Sequence, residues 1–419
     1  MNINHNTTVY QYFFKPLKTV LDSCKNTRKC HKHEDLDHLT AAVMRVLSEA
    51  SSGRGFLQEI RHRLEKSISV ENYFTALRSK RRTEIMQQCN RALCVWEDQK
   101  ELGKDIFASS KSLDDFHIFA TDGHCLQHPC HEKRIKGKYR STNHIFSLNL
   151  RNQRLHYVDL CRPEKDKAKQ HEITTLKNAA SHLRMGVPKG KGEKIIHVYD
   201  LAITAYCFWS TLKQNGIYVI TREKKNSNPH LTIPLKWNQN NPINEGVLCD
   251  EWIASDSSDK KIRRVTYKDP DSQKEYRFLT SLTHNNIEPG WIAFMYKSRW
   301  SIEKTFDVSK NKLSEKKGWS KSEDGKIQQA LAICLTHNLM ILFKLLAKKT
   351  ERIEDKKVFE KRFARNATSQ LPDWIKESLD FLPQISLQFI RWLRVALQHK
   401  KPWKIEIPIL RDLMERYIT

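Results

Sequence analysis

Three acidic residues and one polar helical segment are the features of this sequence best suited to carry out a reaction. Asp122 closes the apolar run 116–122 and Asp200 closes a second run, 195–200, and both runs predict short β-strands. In open α/β sheets, sites form beyond the carboxyl ends of strands that lie ~4.8 Å apart. We therefore expect the two aspartates to converge on one metal pair, although either of them alone would more simply indicate a turn.

The third acid, Glu303, lies in a segment whose polar residues recur at helical spacing. Its companions are Tyr296, Arg299 and Lys310. At ~100° per residue, all four side chains project from one arc of about 60° on a single helix. Such a stripe suits a metal-bound phosphodiester, because the glutamate ligates the ion, the cations neutralise phosphate oxygens and the phenol donates a hydrogen bond. A row of salt bridges on a solvated helix is the alternative.

Composition points to a polyanionic partner. The 419 residues include 73 Lys and Arg against 48 Asp and Glu, a net charge of +25, and nucleic acid is the commonest partner of such a chain. A hydrophobic content of 39% excludes a wholly disordered protein, and 10 cysteines are too few for a disulfide scaffold. The first residues show no basic stretch followed by an apolar one, so we expect no secretory signal. The apolar stretch 330–346 contains polar residues and favours a buried helix over a membrane span.

The elements around the acidic residues predict an α/β core. From residue 116 the order is β-β-β-α-β-α-β, with helical sequence on both sides of this region. Further strands are predicted at 144–150, 155–160 and 217–221. Helices are predicted at 165–183 and 202–214. Residues 262–267 and 276–282 alternate around the turn at 269–272 and predict a hairpin.

The basic N-terminal region allows two interpretations. Phe56, Leu57, Ile60 and Leu64 form one face of a predicted helix, and a second helix is expected to start after Ser69 and to end in the basic stretch 78–82. Two short helices with a tight turn and a basic second helix are typical of a helix-turn-helix. An ordinary helical bundle with a basic solvated face is the alternative.

The pattern Y-x2-R-x3-E-x6-K, complete at 296–310, resembles the DDE transposases of bacterial insertion sequences, and most closely their family-four (YREK) branch. The resemblance covers roughly residues 116–345 and also includes the two strand-end aspartates and the strand order. It implies a ribonuclease-H-like α/β core, that is, a mixed sheet with helices, which carries a β-rich insertion and is flanked by helical N- and C-terminal regions.

The resemblance also implies roles for individual residues. Asp122, Asp200 and Glu303 would ligate two Mg²⁺ ions, with Mn²⁺ able to substitute. Tyr296, Arg299 and Lys310 would hold phosphates at the transposon end. An aromatic residue of the insertion would stack on a flipped base, with three candidates: Trp252, Tyr267 and Tyr276. One departure is Gly123-His124 after the first aspartate, where many relatives carry a small hydroxyl residue nearby; it concerns the local loop and leaves the ligand assignment intact.

The implied protein is a cut-and-paste transposase that acts on double-stranded terminal inverted repeats and target DNA. It would work as a homodimer and use no nucleotide cofactor. It would not be bound to a membrane and would be located in the bacterial cytoplasm, near the nucleoid. Alternatives are a ribonuclease-H-like nuclease without strand transfer and a non-catalytic DNA-binding relative. The expected regions are a helical DNA-binding region (1–112), the first part of the core (113–222), the insertion (223–287), the second part of the core (288–348) and a helical region that is a candidate for dimerisation (349–419).

Three other motifs carry little weight. The clusters 24–33 and 124–131 contain Cys and His, but neither has the spacing of an established zinc site. The glycines of 186–192 lack the G-x4-G-K-[ST] pattern and precede a strand, which favours a basic loop over a nucleotide site.

Overall fold

The computed structural model describes residues 7–28, 34–50, 52–60, 68–96, 105–129, 132, 134–135, 137–139, 141–163, 170–187, 192–201, 205–224, 231–255, 258–269, 272–283, 287–313, 315, 317–351 and 385–417.

A nine-stranded mixed sheet forms the centre of the described part of the chain. Its order is β5-β4-β1-β6-β7-β11-β10-β9-β8, and β2 and β3 form a separate small hairpin. The strands are β1 (Phe116–Leu126), β2 (Arg134–Ile135), β3 (Lys138–Tyr139), β4 (Thr142–Asn149), β5 (Leu155–Leu160), β6 (Lys194–Val198), β7 (Ile217–Arg222), β8 (Leu231–Pro234), β9 (Val247–Ser255), β10 (Ser258–Lys268) and β11 (Glu275–Thr280).

The helices lie before, between and after these strands. They are α1 (Val9–Asp22), α2 (Asp35–Leu47), α3 (Gly53–Ile60), α4 (Val70–Ala76), α5 (Lys80–Cys94), α6 (Glu172–Asn178), α7 (Tyr206–Gln214), α8 (Pro289–Ser298), α9 (Trp300–Asp307), α10 (Glu323–Glu351), α11 (Leu387–Gln398) and α12 (Trp403–Tyr417). The predicted helix 165–183 is shorter than expected. A 3₁₀ turn, Ala180–Arg184, follows α6, and residues 164–169 lie outside the described residues.

The first five strands of this sheet form a ribonuclease-H-like core. β1 pairs antiparallel with β4, and β4 pairs antiparallel with β5. On its other side β1 pairs in parallel with β6, and β6 with β7. The connections β5-α6-β6 and β6-α7-β7 place helices between these strands. The predicted order β-β-β-α-β-α-β and the predicted fold class are confirmed.

Alternating side chains of this core contact two hydrophobic clusters, one on each face of the sheet. Ile118 and Ala120 of β1 belong to the larger cluster, which also contains residues of α8, α10 and the N- and C-terminal helices. Phe119 belongs to the smaller cluster, with residues of α6 and α7. Because successive side chains of a strand point to opposite faces, Asp122 lies on the face of Ala120.

The insertion continues the core sheet. β11 pairs antiparallel with β7, and the meander β11-β10-β9-β8 extends outward from it. Buried ion pairs hold these strands together, since Arg263 donates to both carboxylate oxygens of Asp250 at 2.8 and 2.6 Å. The predicted hairpin at 262–282 is present as β10 and β11.

α10 links the terminal helices to the sheet. It packs against α1, α2, α5, β5 and α12. Among the described residues it alone is long and apolar enough to span a membrane by length and composition, but 94% of its most apolar stretch is buried inside the protein. The expectation of a buried helix at 330–346 is confirmed, because the flanking helices cover that apolar surface.

The predicted basic second helix of a helix-turn-helix is wrong in its boundaries. Ser69 does cap a helix, since its side chain accepts from Asn72 N at 3.1 Å, but α4 ends at Ala76. The basic stretch begins a separate helix, α5. Arg81 donates to both carboxylate oxygens of Asp35 at 2.7 Å, and the Asp35 side chain is only 5% exposed. This pairing within the helical region supports the bundle interpretation.

Candidate active site

The two aspartates lie on neighbouring parallel strands at matching positions. The β1–β6 ladder ends at the pair Ala120–Val198, and each aspartate follows that pair by two residues. The prediction that Asp122 ends its strand is wrong, because β1 continues to Leu126 through its antiparallel pairing with β4. Both carboxylates nevertheless come after the end of the parallel ladder, on the face that α8 and α9 cover.

The segment that carries the other four predicted residues is helical but irregular. Arg299 N lies 3.2 Å from the carbonyl oxygens of both Met295 and Tyr296, so the backbone tightens at Arg299 between α8 and α9. A π-helical turn, Val308–Lys312, then follows α9 and contains Lys310. The prediction of a single regular helix is therefore wrong, and a uniform 100° per residue does not give the directions of these side chains.

Arg299 is the residue around which the acidic side chains are arranged. Its Nη1 atom lies 2.7 Å from Glu303 Oε1 and 3.8 Å from Asp122 Oδ2, and its side chain is only 4% exposed. Nη1 and Nε nevertheless lack a hydrogen bond of good geometry, so the contact with Glu303 is a close ion pair without hydrogen-bond alignment. Burial lowers the pKa of Arg299, but the neighbouring Glu303 carboxylate, together with Tyr296 and Asp200, outweighs this and raises it overall. The buried guanidinium thus has donor capacity left for another anion.

Asp122 lies in an environment that penalises its negative charge. Burial raises the pKa of Asp122 to about 6, and the nearby carboxylates of Glu172 and Asp200 act in the same direction. The backbone N–H of Gly123, which donates to Oδ1 at 2.8 Å, and the Arg299 guanidinium oppose this rise. A buried carboxylate next to other acids is an environment that an added cation would stabilise.

Tyr296 connects the helical segment to the second aspartate. Its hydroxyl donates to Asp200 Oδ1 at 3.3 Å, and the Arg299 guanidinium lies 5.5 Å from the Tyr296 ring centroid. Burial raises the pKa of Tyr296, so the phenol stays a donor at neutral pH. The structure therefore brings Tyr296, Arg299 and Glu303 together with the two aspartates.

Lys310, in the π turn, lies beside the part of β1 that follows Asp122. Its charge is close enough to His124 to lower the pKa of that histidine, which burial lowers first, to about 3. His124 is two residues beyond Asp122 on the same face of the strand, and its ring packs on Phe306 of α9 with centroids 4.6 Å apart. Lys310 is thus on the correct face of the sheet, and the structure gives it no direct contact with the acidic residues.

Glu172, at the start of α6, is an acidic residue that the sequence analysis missed, and it lies on the α6 face of β1, close enough to Asp122 to affect its pKa. A Cβ atom on Gly123 would overlap the Glu172 carboxylate, so this carboxylate lies directly against β1 and would have to move to admit a larger residue. The departure at Gly123-His124 has a physical reason here. Glycine inside a strand is a sign of close approach by another group, and that signal was present in the sequence.

A cleft of about 1200 Å³ opens beside these residues. Asp200, Tyr296, Arg299 and Glu303 line one part of it. The lining also contains acidic residues, among them Glu245, Asp269 and Asp307, and a set of basic and aromatic side chains that includes Arg222, Lys297, Lys304, Trp300, Tyr267 and Tyr276. Of the three aromatic candidates for base stacking, Tyr267 and Tyr276 are in the cleft lining and Trp252 is not.

The acidic residues do not form a compact metal cluster as they stand. Within the described ranges, no three His, Cys, Asp or Glu side chains lie close enough together to hold one ion. Arg299 occupies the position between Asp122 and Glu303. Several residues of the two Cys and His clusters lie outside the described residues, namely Cys30, His31, His33, Cys130 and His131. The same holds for residues 188–191 of the glycine-containing loop.

Comparison with known proteins identifies one family. Residues 115–339, more than half of the chain, match the model of the transposase DDE domain. The matched region begins just before β1 and includes Asp122, Asp200 and Glu303. The comparison with curated proteins finds no match.

Proposed function

The chain belongs to the family of transposases with a DDE domain, and we propose that it cuts and joins DNA by metal-dependent phosphoryl transfer in cut-and-paste transposition. The observation that carries this proposal is the matched position of Asp122 and Asp200 on adjacent parallel strands, on the face where α9 presents Glu303. We further propose that it is a bacterial member of the family-four (YREK) branch, because Y-x2-R-x3-E-x6-K is complete at 296–310.

We assign the metal-ligating role to Asp122, Asp200 and Glu303. The raised pKa of Asp122 and the surrounding acids fit divalent cations, Mg²⁺ or Mn²⁺, since oxygen ligands and local negative charge are what these ions prefer. When bound, such cations supply Lewis-acid stabilisation of the phosphate charge and of the attacking oxygen. Because Arg299 lies between two of the acids, its side chain would shift as the cations neutralise them.

The helical segment would hold the DNA at the reacting phosphate. Arg299 has buried donors without well-aligned acceptors, and a phosphate oxygen can accept from them. Tyr296 keeps its proton and can donate to the same phosphodiester once Asp200 turns to a cation. Lys310, near His124, would neutralise a phosphate further along the strand.

The cleft would accept the end of the DNA. Its lysines and Arg222 provide positive charge for the backbone, and Tyr267 and Tyr276 offer aromatic rings to a flipped base. The partners would be double-stranded terminal inverted repeats and target DNA, bound by a homodimer in the bacterial cytoplasm. The helical region 1–112 would contribute DNA contacts, and the region 349–419, of which 352–384 are outside the described residues, would contribute to dimerisation.

A cleavage and joining assay tests this function. The full-length protein is incubated with Mg²⁺ or Mn²⁺ and a duplex that contains the element's end, and nicked, double-cut and joined products are separated. Asp122→Asn, Asp200→Asn and Glu303→Gln should each abolish cleavage and leave DNA binding largely intact. Asp115→Asn is the matched control, because Asp115 is exposed and immediately precedes β1.

The products also separate the alternatives. Cleavage without joined product from the wild-type protein would favour a nuclease of the same fold. DNA binding without any cleavage would favour a non-catalytic relative. Cleavage at the wild-type rate by any of the three variants would remove that residue from the site.

A further inference from the structure

The part of β1 beyond Asp122 leads away from the candidate active site as extended chain. The strand runs to Leu126, and Gln127 continues it by forming a parallel bridge with Lys317. Gly318 N donates to Gln127 O at 2.9 Å, which fixes this second segment alongside the first. At ~3.3 Å per residue, His128 lies about 20 Å from Asp122 along this direction.

Positively charged residues accompany this segment at three points. Lys310 lies beside His124, the exposed Lys317 pairs with Gln127, and the exposed Arg134 belongs to the β2–β3 hairpin. We call Lys310, Lys317 and Arg134, together with Tyr139, the β1 track.

Aromatic stacking holds the last of these cations in place. The ring of Tyr139 stacks on His128, with centroids 3.9 Å apart and planes 6° apart, and the Arg134 guanidinium lies 4.8 Å from the Tyr139 centroid. Tyr139 is still 40% exposed. The hairpin is thus attached to the end of β1 with a basic and an aromatic side chain facing solvent, a combination typical of nucleic-acid contacts.

The segment that contains the hairpin is strongly basic. Residues 132–140 contain five Lys or Arg and a single acid, Glu132. Glu132 pairs with Lys326 at 3.5 Å, and both of these side chains are largely buried. The acid therefore does little to oppose an anion at Arg134.

The cations extend along β1 over the length of several nucleotides. Along β1, the three points lie about 7, 16 and 20 Å from Asp122. Phosphates of one strand follow each other at ~3.4 Å along the axis of a duplex, so for a duplex axis parallel to β1 these distances correspond to about two, five and six nucleotides.

We propose that the β1 track binds the sugar–phosphate backbone of the duplex arm that leads away from the scissile phosphate, over about two to six nucleotides. This inference rests on the proposed function, because it takes Asp122 as the position of the reacting phosphate. It adds Lys317, Arg134 and Tyr139 to the DNA contacts that the family resemblance implies.

The test compares DNA arms of two lengths. Duplexes extend either about 3 or about 12 base pairs beyond the scissile phosphate, on one side or on the other. Full-length protein, with Ca²⁺ in place of Mg²⁺, is titrated in a fluorescence anisotropy assay at several salt concentrations. The variant is Arg134→Gln/Lys317→Gln, and the control is Lys213→Gln/Lys404→Gln, which removes two exposed charges elsewhere.

For the wild-type protein and the control, lengthening one of the two arms should raise the affinity. The track variant should lose most of this gain, about 10-fold or more, and its log–log salt slope should become less steep by about 2. Its affinity for the short duplex should not change. An unaltered affinity and slope on the long arm, or an equal loss on both lengths, would overturn the inference.

Cleavage of the short duplex separates this inference from the proposed function. A track variant that cuts the short duplex normally and shows an unchanged salt slope contradicts the track alone. If the wild-type protein binds the duplexes but never cuts them, the assigned chemistry is contradicted. Even then, a track variant that loses the gain in affinity on lengthening the arm would still support the track. Wild-type protein that binds neither duplex contradicts both.

Discussion

Asp122 and Asp200 occupy equivalent positions on adjacent parallel strands, each two residues beyond the Ala120–Val198 pair. Their side chains point to the face where Arg299 lies between Asp122 and Glu303. The site is therefore built from two parts, a sheet that fixes the aspartates and a helical segment that brings a cation and a third acid to them. The predictions below test these two parts separately.

The helical segment should matter more for joining than for the first cut. Arg299→Ala and Lys310→Ala should each reduce strand transfer or second-strand cleavage about 10- to 150-fold, because each removes a charge-assisted phosphate contact of ~1.5–3 kcal/mol. Initial nicking of a pre-bound end should fall less. An assay that resolves nicked, double-cut and joined products measures the difference, with Lys213→Ala as the control. Equal loss of all products would show that these side chains position DNA only generally.

The raised pKa of Asp122 predicts a pH-dependent cost in stability. Its folded-state pKa of about 6 exceeds the ordinary value of 3.8, so the folded protein holds an extra proton between these pH values. Stability from this group is present below about pH 4 and is lost as pH rises through 6, with a cost of ~3 kcal/mol above that. Asp122→Asn should therefore raise the thermal unfolding midpoint in EDTA at pH 7.5. The gain should vanish near pH 4, and a gain that is independent of pH would contradict the prediction.

Bound cations should reverse the order of thermal stability of the wild-type protein and Asp122→Asn. In thermal unfolding at pH 7.5, Mg²⁺ or Mn²⁺ should raise the midpoint of the wild-type protein, since ligands of the folded state stabilise it. The same ions should have little effect on Asp122→Asn or Asp200→Asn, which lose a ligand. Asp115→Asn should respond like the wild type. An equal response by all variants would place the ions elsewhere.

The contact between Gly123 and Glu172 predicts a coupled pair of substitutions. Gly123→Ala should destabilise the protein by about 1 kcal/mol, because the new Cβ overlaps the Glu172 carboxylate and forces this flexible side chain to move. Glu172→Ala removes the obstacle, so the double variant should recover most of that loss. Denaturant unfolding of the two single variants and the double variant measures the coupling, expected at ~0.5–3 kcal/mol. Additive effects would mean that the two residues do not meet.

The cleft predicts which aromatic residue contacts an unpaired base. Tyr267→Ala or Tyr276→Ala should weaken binding to a duplex end with a flipped base by ~1–3 kcal/mol, whereas Trp252→Ala should not. A 2-aminopurine base at the end reports stacking directly through its fluorescence. Quenching that is lost only in Trp252→Ala would reverse the assignment.

Much of the core could be predicted because its signals are local. Apolar runs such as 155–160 coincide with β5, and the order of strands and helices is confirmed from residue 116 to β7. The same reasoning misjudged Asp122, since the length of β1 depends on Leu126 pairing with Thr142 across the sheet. A strand that continues through its functional residue gives no break in sequence periodicity.

The remaining errors come from irregular backbone turns in the helical segment and from contacts between residues far apart in the sequence. The tightened turn at Arg299 and the π turn at Lys310 change side-chain directions that a uniform helix would fix. Arg81, which suggested a DNA-binding helix, pairs with Asp35, 46 residues away along the chain. Glu172 belongs to no motif, and only the glycine that faces it in β1 indicated its presence.

The direct pairing of β11 with β7 makes the insertion and the acidic strands a single hydrogen-bonded plate. A DNA segment held at both places would be positioned against one sheet, since β11, which contains Tyr276, pairs with β7, the neighbour of the strand that precedes Asp200. One base pair added between the two places would displace the reacting phosphate by ~3.4 Å. The fixed distance across the sheet would thus determine which phosphate of the DNA is cut, and so where the element ends.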